Sequence, residues 1–89
     1  MPVISVFQGL IVRMYFFNLK QHTRPHVHVS YAEASAIFGI EDAALLAGGI
    51  PLKQTRLVQA WIELRREELF ADWSQVAGGA ELFNIEPLR

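Results

Sequence analysis

The spacing of the apolar residues changes partway along this chain. The two spacings restrict the fold to strands followed by a helix. In roughly the first forty residues, β-branched and aromatic residues alternate with polar ones, as they do in a half-buried strand. From residue 57 onward, the apolar residues recur at three- and four-residue spacing, as they do on one face of a helix. This order predicts an α+β fold with the strands first.

The first part of the chain is predicted to form four strands. They cover residues 3–7, 10–17, 26–31 and 35–40. Gln8-Gly9 separates the first two strands and suits a tight hairpin, because glycine tolerates the positive φ angles of a two-residue turn. Pro25 excludes a helix through the third strand. Residues 43–49 form either a fifth short strand or a helical turn. We expect an antiparallel meander in which the third strand pairs with the second and the fourth.

The second part of the chain is predicted to form one long helix. Pro51 lies near its first turn, where a missing N–H costs little, and the glycines at 78–79 end it. The apolar stripe of this helix contains Leu57, Val58, Trp61, Ile62, Leu64, Leu69, Trp73 and Val76. The stripe continues to its end either as one helix or after a kink near Phe70. Trp61 and Trp73 are therefore expected to be core or interface aromatics.

The tail of the chain is apolar enough to pack back on the rest. Residues 82–88 are expected to do so as an edge strand ended by Pro87. The whole chain, residues 1–89, is then a single domain with a small antiparallel sheet of about four strands and one long C-terminal helix packed on one face.

The composition favours association with another protein. Apolar residues make up 52% of the 89-residue chain and charged residues 19%, so apolar surface is left over after so small a core is filled. We expect a homo-oligomer, such as a homodimer, or a complex with a small partner protein. The net charge of −1 gives no general attraction for RNA or for a membrane. A local cationic patch could still form from Arg13, Lys20 and Arg24.

The same composition predicts where the protein works. The chain has no cysteine, which is what a reducing compartment permits. It begins without a cationic leader, and its longest uncharged apolar stretch, residues 43–52, is far shorter than the roughly 20 residues that a membrane span requires. We therefore expect a cytoplasmic protein that does not enter a membrane.

The histidines form the clearest candidate site. All three histidines of the chain lie within residues 22–28. His26 and His28 alternate with valines, so they share one face of the third strand, with Cα atoms about 6.6–6.8 Å apart. At this spacing two imidazoles can converge on one ion or one phosphate. His22 lies on the preceding loop, which could fold back over the pair.

Three interpretations of this cluster stay open. In the first interpretation, the histidines are ordinary polar residues on the wetter face of the sheet. In the second, they form a site for a divalent metal ion, held by His22, His26 and His28, with Glu33 or a helix carboxylate as other nominated ligands. In the third interpretation, His26 and His28 share proton transfer and Arg24 holds an anion, without a metal. The residues leave open whether the protein is an enzyme.

Several short motifs occur together along nearly the whole chain. They are residues 1–5 with Phe7 and Gly9, residues 14–16, His22 with residues 25–28, Leu57-Val58, Trp61, Glu68-Leu69, Trp73 and residues 85–88. As a set they resemble the bacterial family known as domain of unknown function 4160. The family pattern has an acidic residue before the first histidine, a second proline and a phenylalanine between the last two histidines. Gln21, Arg24 and Val27 stand at these positions here, and the missing acid removes one possible metal ligand.

The resemblance also implies a biological setting. Proteins similar to this one are often encoded beside a small protein of domain of unknown function 2442, in arrangements that look like toxin–antitoxin operons. The resemblance therefore implies a protein-binding component of a toxin–antitoxin-type module. The alternative is a histidine-dependent RNase or a metal-dependent hydrolase that uses His22, His26 and His28.

Overall fold

A computed structural model describes residues 3–14, 24–77 and 82–88. Its elements are β1 (Val3–Phe7), β2 (Leu10–Arg13), β3 (His26–Tyr31), β4 (Ala34–Gly39), β5 (Leu45–Gly49) and α1 (Leu52–Ala77). The strands form one antiparallel sheet in the order β1-β2-β3-β4-β5. The predicted α+β class is confirmed, and the sheet has five strands where about four were expected.

The first two strands meet in the predicted hairpin. Gln8 has a φ angle of 52° and Gly9 one of 77°, the left-handed pair that a two-residue turn of this type requires. The pairing of β3 with both β2 and β4 is likewise as predicted. Strand β2 ends at Arg13, and residues 15–17, which were predicted to continue it, lie outside the described residues.

The fifth strand explains the difference in strand number. Its sequence, Leu-Leu-Ala-Gly-Gly, carries little β propensity, yet it pairs with β4 from Phe38 to Ser35. Gly48 has a φ angle of 71°, and a Cβ atom there would overlap the carbonyl oxygen of Ser35. Only glycine fits this position without strain. The strand is therefore specified by its contact with β4 and by one glycine rather than by its own apolar pattern.

The core lies between one face of the sheet and helix α1, and we call this side of the sheet the inner face. It is formed by alternate residues of the strands and by one stripe of the helix: Leu10, Val12, Val27, Val29, Ala36, Phe38, Val58, Trp61, Ile62 and Leu69 are all buried. Trp61 is fully buried, packs on the Phe7 ring with centroids 5.4 Å apart, and donates from Nε1 to the Glu86 carbonyl at 2.7 Å. Its predicted place in the core is confirmed.

Helix α1 bends earlier than predicted. Arg65 has non-helical angles, with φ at −114° and ψ at 20°, so the kink lies there and not near Phe70. Leu64, which was placed on the apolar stripe, is 68% exposed. This placement was wrong, although Trp61 three residues earlier is fully buried; Leu64 directly precedes Arg65, where the regular helical geometry is interrupted.

Two polar residues of the helix bind backbone carbonyls on the sheet side. Gln59 donates from Nε2 to the Ala43 carbonyl at 3.0 Å, and Arg66 donates from Nε to the Ile40 carbonyl at 2.8 Å. Their bonds reach the connection between β4 and β5, whose backbone carbonyls have no strand partner there, and so they fix the helix over the sheet.

The tail packs back on the domain without forming a strand. Ile85 is buried and its N–H donates to the Ile4 carbonyl at 2.8 Å, but residues 82–88 make no ladder with β1. Oδ1 of the buried Asp72 accepts the N–H of Phe83 at 3.1 Å. Burial raises the pKa of the Asp72 carboxyl above its usual value, against the lowering effect of the Phe83 N–H. The expected edge strand is therefore replaced by a strap with few backbone bonds.

Replacement of Trp61 tests this core. We predict that Trp61→Ala lowers the free energy of unfolding by about 3–5 kcal/mol, because it opens a large cavity and removes the bond to the tail. Leu64→Ala on the same helix is the control and should change stability by less than about 0.5 kcal/mol. Chemical denaturation of both variants measures the difference. Equal losses would show that the two side chains are equally buried.

Candidate functional site

The two histidines of β3 lie side by side, as the alternation predicts. Their ring centroids are 5.0 Å apart at an interplanar angle of 60°. Val27 and Val29 point to the inner face and are buried in the core, so His26 and His28 point to the opposite, outer face. The two rings therefore share one surface, although their surroundings differ.

His26 is a buried residue. Its side chain is 1% exposed, and its Nδ1 donates to the Arg24 carbonyl at 2.8 Å. The Trp73 ring of α1 lies against it, with centroids 5.0 Å apart at 57°. The imidazole thus connects the start of β3 to the part of the helix beyond the kink, which is a structural role.

His28 lines a groove on the outer face of the sheet, and we call this the outer groove. It has a volume of about 380 Å³, and the described residues that line it include no carboxylate. Its side chains from the outer face are Arg13, His28, Ser30, Ser35, Ile37 and Ala47. Arg13 donates from a guanidinium nitrogen to the Ser30 hydroxyl at 3.3 Å. One cation, one imidazole and two hydroxyls therefore converge in one small depression.

The two arginines near the histidines have different electrostatic environments. Arg24 forms an ion pair with Asp42 at 3.1 Å and approaches Glu41 at 4.0 Å. The Ala44 N–H and the Arg24 guanidinium hold the pKa of the Asp42 carboxyl below its usual value. Arg13 has no ion pair with a carboxylate in the part of the chain that the structure describes. Its charge is thus the one that the outer groove presents.

Sequence reasoning named Arg24 as the anion ligand and Arg13 only as a member of a cationic patch. The register of the strands identifies Arg13, because Arg13 on β2 lies directly opposite His28 on β3. Side chains at such positions point to the same face of an antiparallel pair. Arg24 precedes β3 and turns towards the connection between β4 and β5, where Asp42 lies.

The predicted metal site cannot be assembled from the described residues. Within residues 3–14, 24–77 and 82–88, no group of three histidine, cysteine or acidic side chains could hold a metal ion. His22, the third predicted ligand, lies outside these ranges. A metal site at His22, His26 and His28 therefore stays a prediction.

Comparison with known proteins decides the family. The family model for Domain of unknown function (DUF4160) matches residues 9–74. The chain belongs to this family. The matched DUF4160 span runs from β2 through most of α1 and contains every side chain of the outer groove. No curated protein and no solved structure matches the chain. Among the described residues, no helix has the length and apolar character that crossing a membrane would require.

The different roles of the two histidines predict different losses of stability when each is replaced. We predict that His26→Ala lowers the free energy of unfolding by about 2–4 kcal/mol, because it removes a buried ring packed on Trp73 and a hydrogen bond. His28→Ala, two residues along the same strand, should cost about 1 kcal/mol or less. Thermal and chemical denaturation of both variants gives the comparison. A larger loss for His28→Ala would reverse the assignment of the structural residue.

Proposed function

We propose that this DUF4160 protein binds a phosphate-bearing ligand in the outer groove. The observation that carries the proposal is the convergence of Arg13, His28 and two serines in a groove without a carboxylate. A guanidinium group offers several N–H donors in a plane that matches phosphate oxygens, and hydroxyls complete their coordination. The ligand would provide the negative charge that Arg13 lacks among the described residues.

The surroundings of Arg13 strengthen such an interaction. Its side chain is half-buried, and the groove floor is formed by buried residues of the sheet, Val29 and Ala36. An ion pair formed there is screened less by water than one on an open helix surface. The groove volume of about 380 Å³ lies in the range of small-ligand sites. Binding of a compact anion is thus the chemistry best supported.

Hydrolysis of RNA or of another ester by His26 and His28 with Arg24 is less well supported. The His26 ring is buried and donates to a carbonyl, and Arg24 is paired with Asp42. The Nε2 atom of His28 is buried as well. Proton transfer requires a nitrogen within hydrogen-bond reach of the substrate. These contacts favour a binding role over the catalytic alternative.

The test replaces Arg13 without changing the shape of the sheet. We predict that Arg13→Gln weakens binding of inorganic phosphate at least tenfold, because a charged hydrogen bond contributes about 1.5–3 kcal/mol. NMR titration of protein without a histidine tag measures the dissociation constant and shows which residues respond. Arg56→Gln on the exposed face of α1 is the control, since it removes the same charge outside the groove.

Two outcomes would contradict the proposal. One is wild-type protein whose outer-groove signals do not respond to phosphate at millimolar concentration. The other is equal weakening by Arg13→Gln and Arg56→Gln, because that would show a general charge effect and not a site.

A second function is favoured by a separate observation, the exposed leucines of α1. Leu52 is 64% exposed and Leu64 is 68% exposed, and a partner that covers them would remove this apolar surface from water. We propose that the surface around Leu64 binds a small partner protein in a toxin–antitoxin-type module, such as one of domain of unknown function 2442. A homodimer through the same surface is the competing arrangement.

Co-expression with a small protein of domain of unknown function 2442 tests the partner. We predict a complex in size-exclusion chromatography that Leu64→Gln weakens at least fivefold, because it removes a central apolar contact. Arg56→Gln on the same helix should leave the complex unchanged. A wild-type protein that elutes alone in the presence of the co-expressed protein would rule out this partner, and self-association sensitive to Leu64→Gln would identify the homodimer instead.

A further inference from the structure

The side chains that line the outer groove change across the sheet, from a charged one on β2 to apolar ones on β4 and β5. Strand register aligns Arg13 with His28, His28 with Ile37, and Ile37 with Ala47. These four residues form one row across β2, β3, β4 and β5, and all of them line the groove. A ligand that lies along this row meets a cation at one end and small apolar side chains at the other.

A second row runs beside the first. It contains Ile11, Ser30, Ser35 and Gly49, which lie opposite one another on the same four strands. Ser30 and Ser35 place two hydroxyls at the middle of the groove. Polar groups of a ligand would therefore find donors and acceptors between the charged end and the apolar end.

The apolar end of the outer groove, at β5, is formed by residues with small side chains or none. Ala47 and Gly48 line it, and a Cβ atom added at the neighbouring Gly49 would meet no atom within 4 Å. Residues without bulky side chains leave room above the sheet for a flat ring, which could rest on Ile37 and Ala47. Larger side chains at these positions would occupy that room.

The length of the row exceeds what a lone phosphate can fill. Three inter-strand steps of about 4.8 Å separate β2 from β5, a span of about 14 Å. A nucleotide has the matching order of groups, with an anionic phosphate, a hydroxyl-bearing sugar and a flat base. A phosphorylated side chain of a protein has the phosphate but neither the sugar hydroxyls nor the base.

We infer that the outer groove binds one nucleotide unit, with its phosphate at Arg13, its sugar at the serines and its base on Ile37 and Ala47. This inference rests on the proposed phosphate-binding function and names its ligand class. The unit is either a free mononucleotide or one nucleotide of a single-stranded RNA, because both present the same groups. Base contact through a ring face is tolerant of sequence.

The experiment compares ligands that add one part at a time. Dissociation constants are measured by NMR titration or calorimetry for inorganic phosphate, ribose 5-phosphate, uridine monophosphate, uridine and a phosphoserine peptide. We expect uridine monophosphate to bind at least tenfold more tightly than inorganic phosphate, and uridine to bind least. A five-nucleotide single-stranded RNA identifies the source, since tighter binding than the mononucleotide indicates a strand and equal binding indicates a free nucleotide.

A substitution at the apolar end separates the base from the phosphate. Ala47→Gln should reduce binding of uridine monophosphate to the level of ribose 5-phosphate and leave binding of inorganic phosphate unchanged. Leu45→Gln on the same strand is the matched control, because Leu45 is exposed and does not line the groove. Circular dichroism confirms that both variants are folded.

The outcomes distinguish this inference from the function on which it rests. If inorganic phosphate binds at Arg13 but nucleotides bind no more tightly, the nucleotide inference fails and the phosphate site remains. Tighter binding of the phosphoserine peptide than of any nucleotide also overturns the nucleotide inference. If none of the phosphate-bearing ligands binds, both fail.

Discussion

Strand β3 holds the molecule together because its two faces serve different purposes. Val27 and Val29 are fully buried against the helix, and His28 and Ser30 line the outer groove on the other face. The strand is bonded on both sides, to β2 and to β4. A shift of one residue in its register would bury the polar side chains and expose the valines. The core and the outer groove therefore depend on the same backbone alignment.

Helix α1 is held in place by a few hydrogen bonds to other parts of the chain. Gln59 and Arg66 bind carbonyls in the connection between β4 and β5, and Trp61 binds the tail. Each bond joins segments that are distant in sequence, in a small domain whose stability margin is thin. The outer face needs no such support, since its residues are presented by strands that the inner face already holds.

Sequence periodicity predicted the regular parts of this structure and left open or misplaced those that depend on tertiary contact. The alternation in β3 and the Gln8-Gly9 turn are local patterns that were predicted in their correct places, and so was the apolar stripe of α1 except for Leu64. Strand β5 depends on pairing with β4, and the kink at Arg65 has no glycine or proline to signal it. The predicted toxin–antitoxin role and metal site depend on partners or residues beyond these patterns.

The candidate site shows why residue type alone was insufficient. His26 and His28 have the same side chain and the same face, but one is sealed by Trp73 and the other lines a groove. Arg13 and Arg24 carry the same charge, but Asp42 neutralises only the second. Arg13 and His28 both line the groove because they lie opposite each other in the pairing of β2 with β3, although they are distant in sequence. Arg13 has no carboxylate partner among the described residues, and a half-buried charge without one favours binding of an anion that can reach it. The ion pair of Arg24 with Asp42 thus makes Arg13 the cation that an anion in the outer groove would meet.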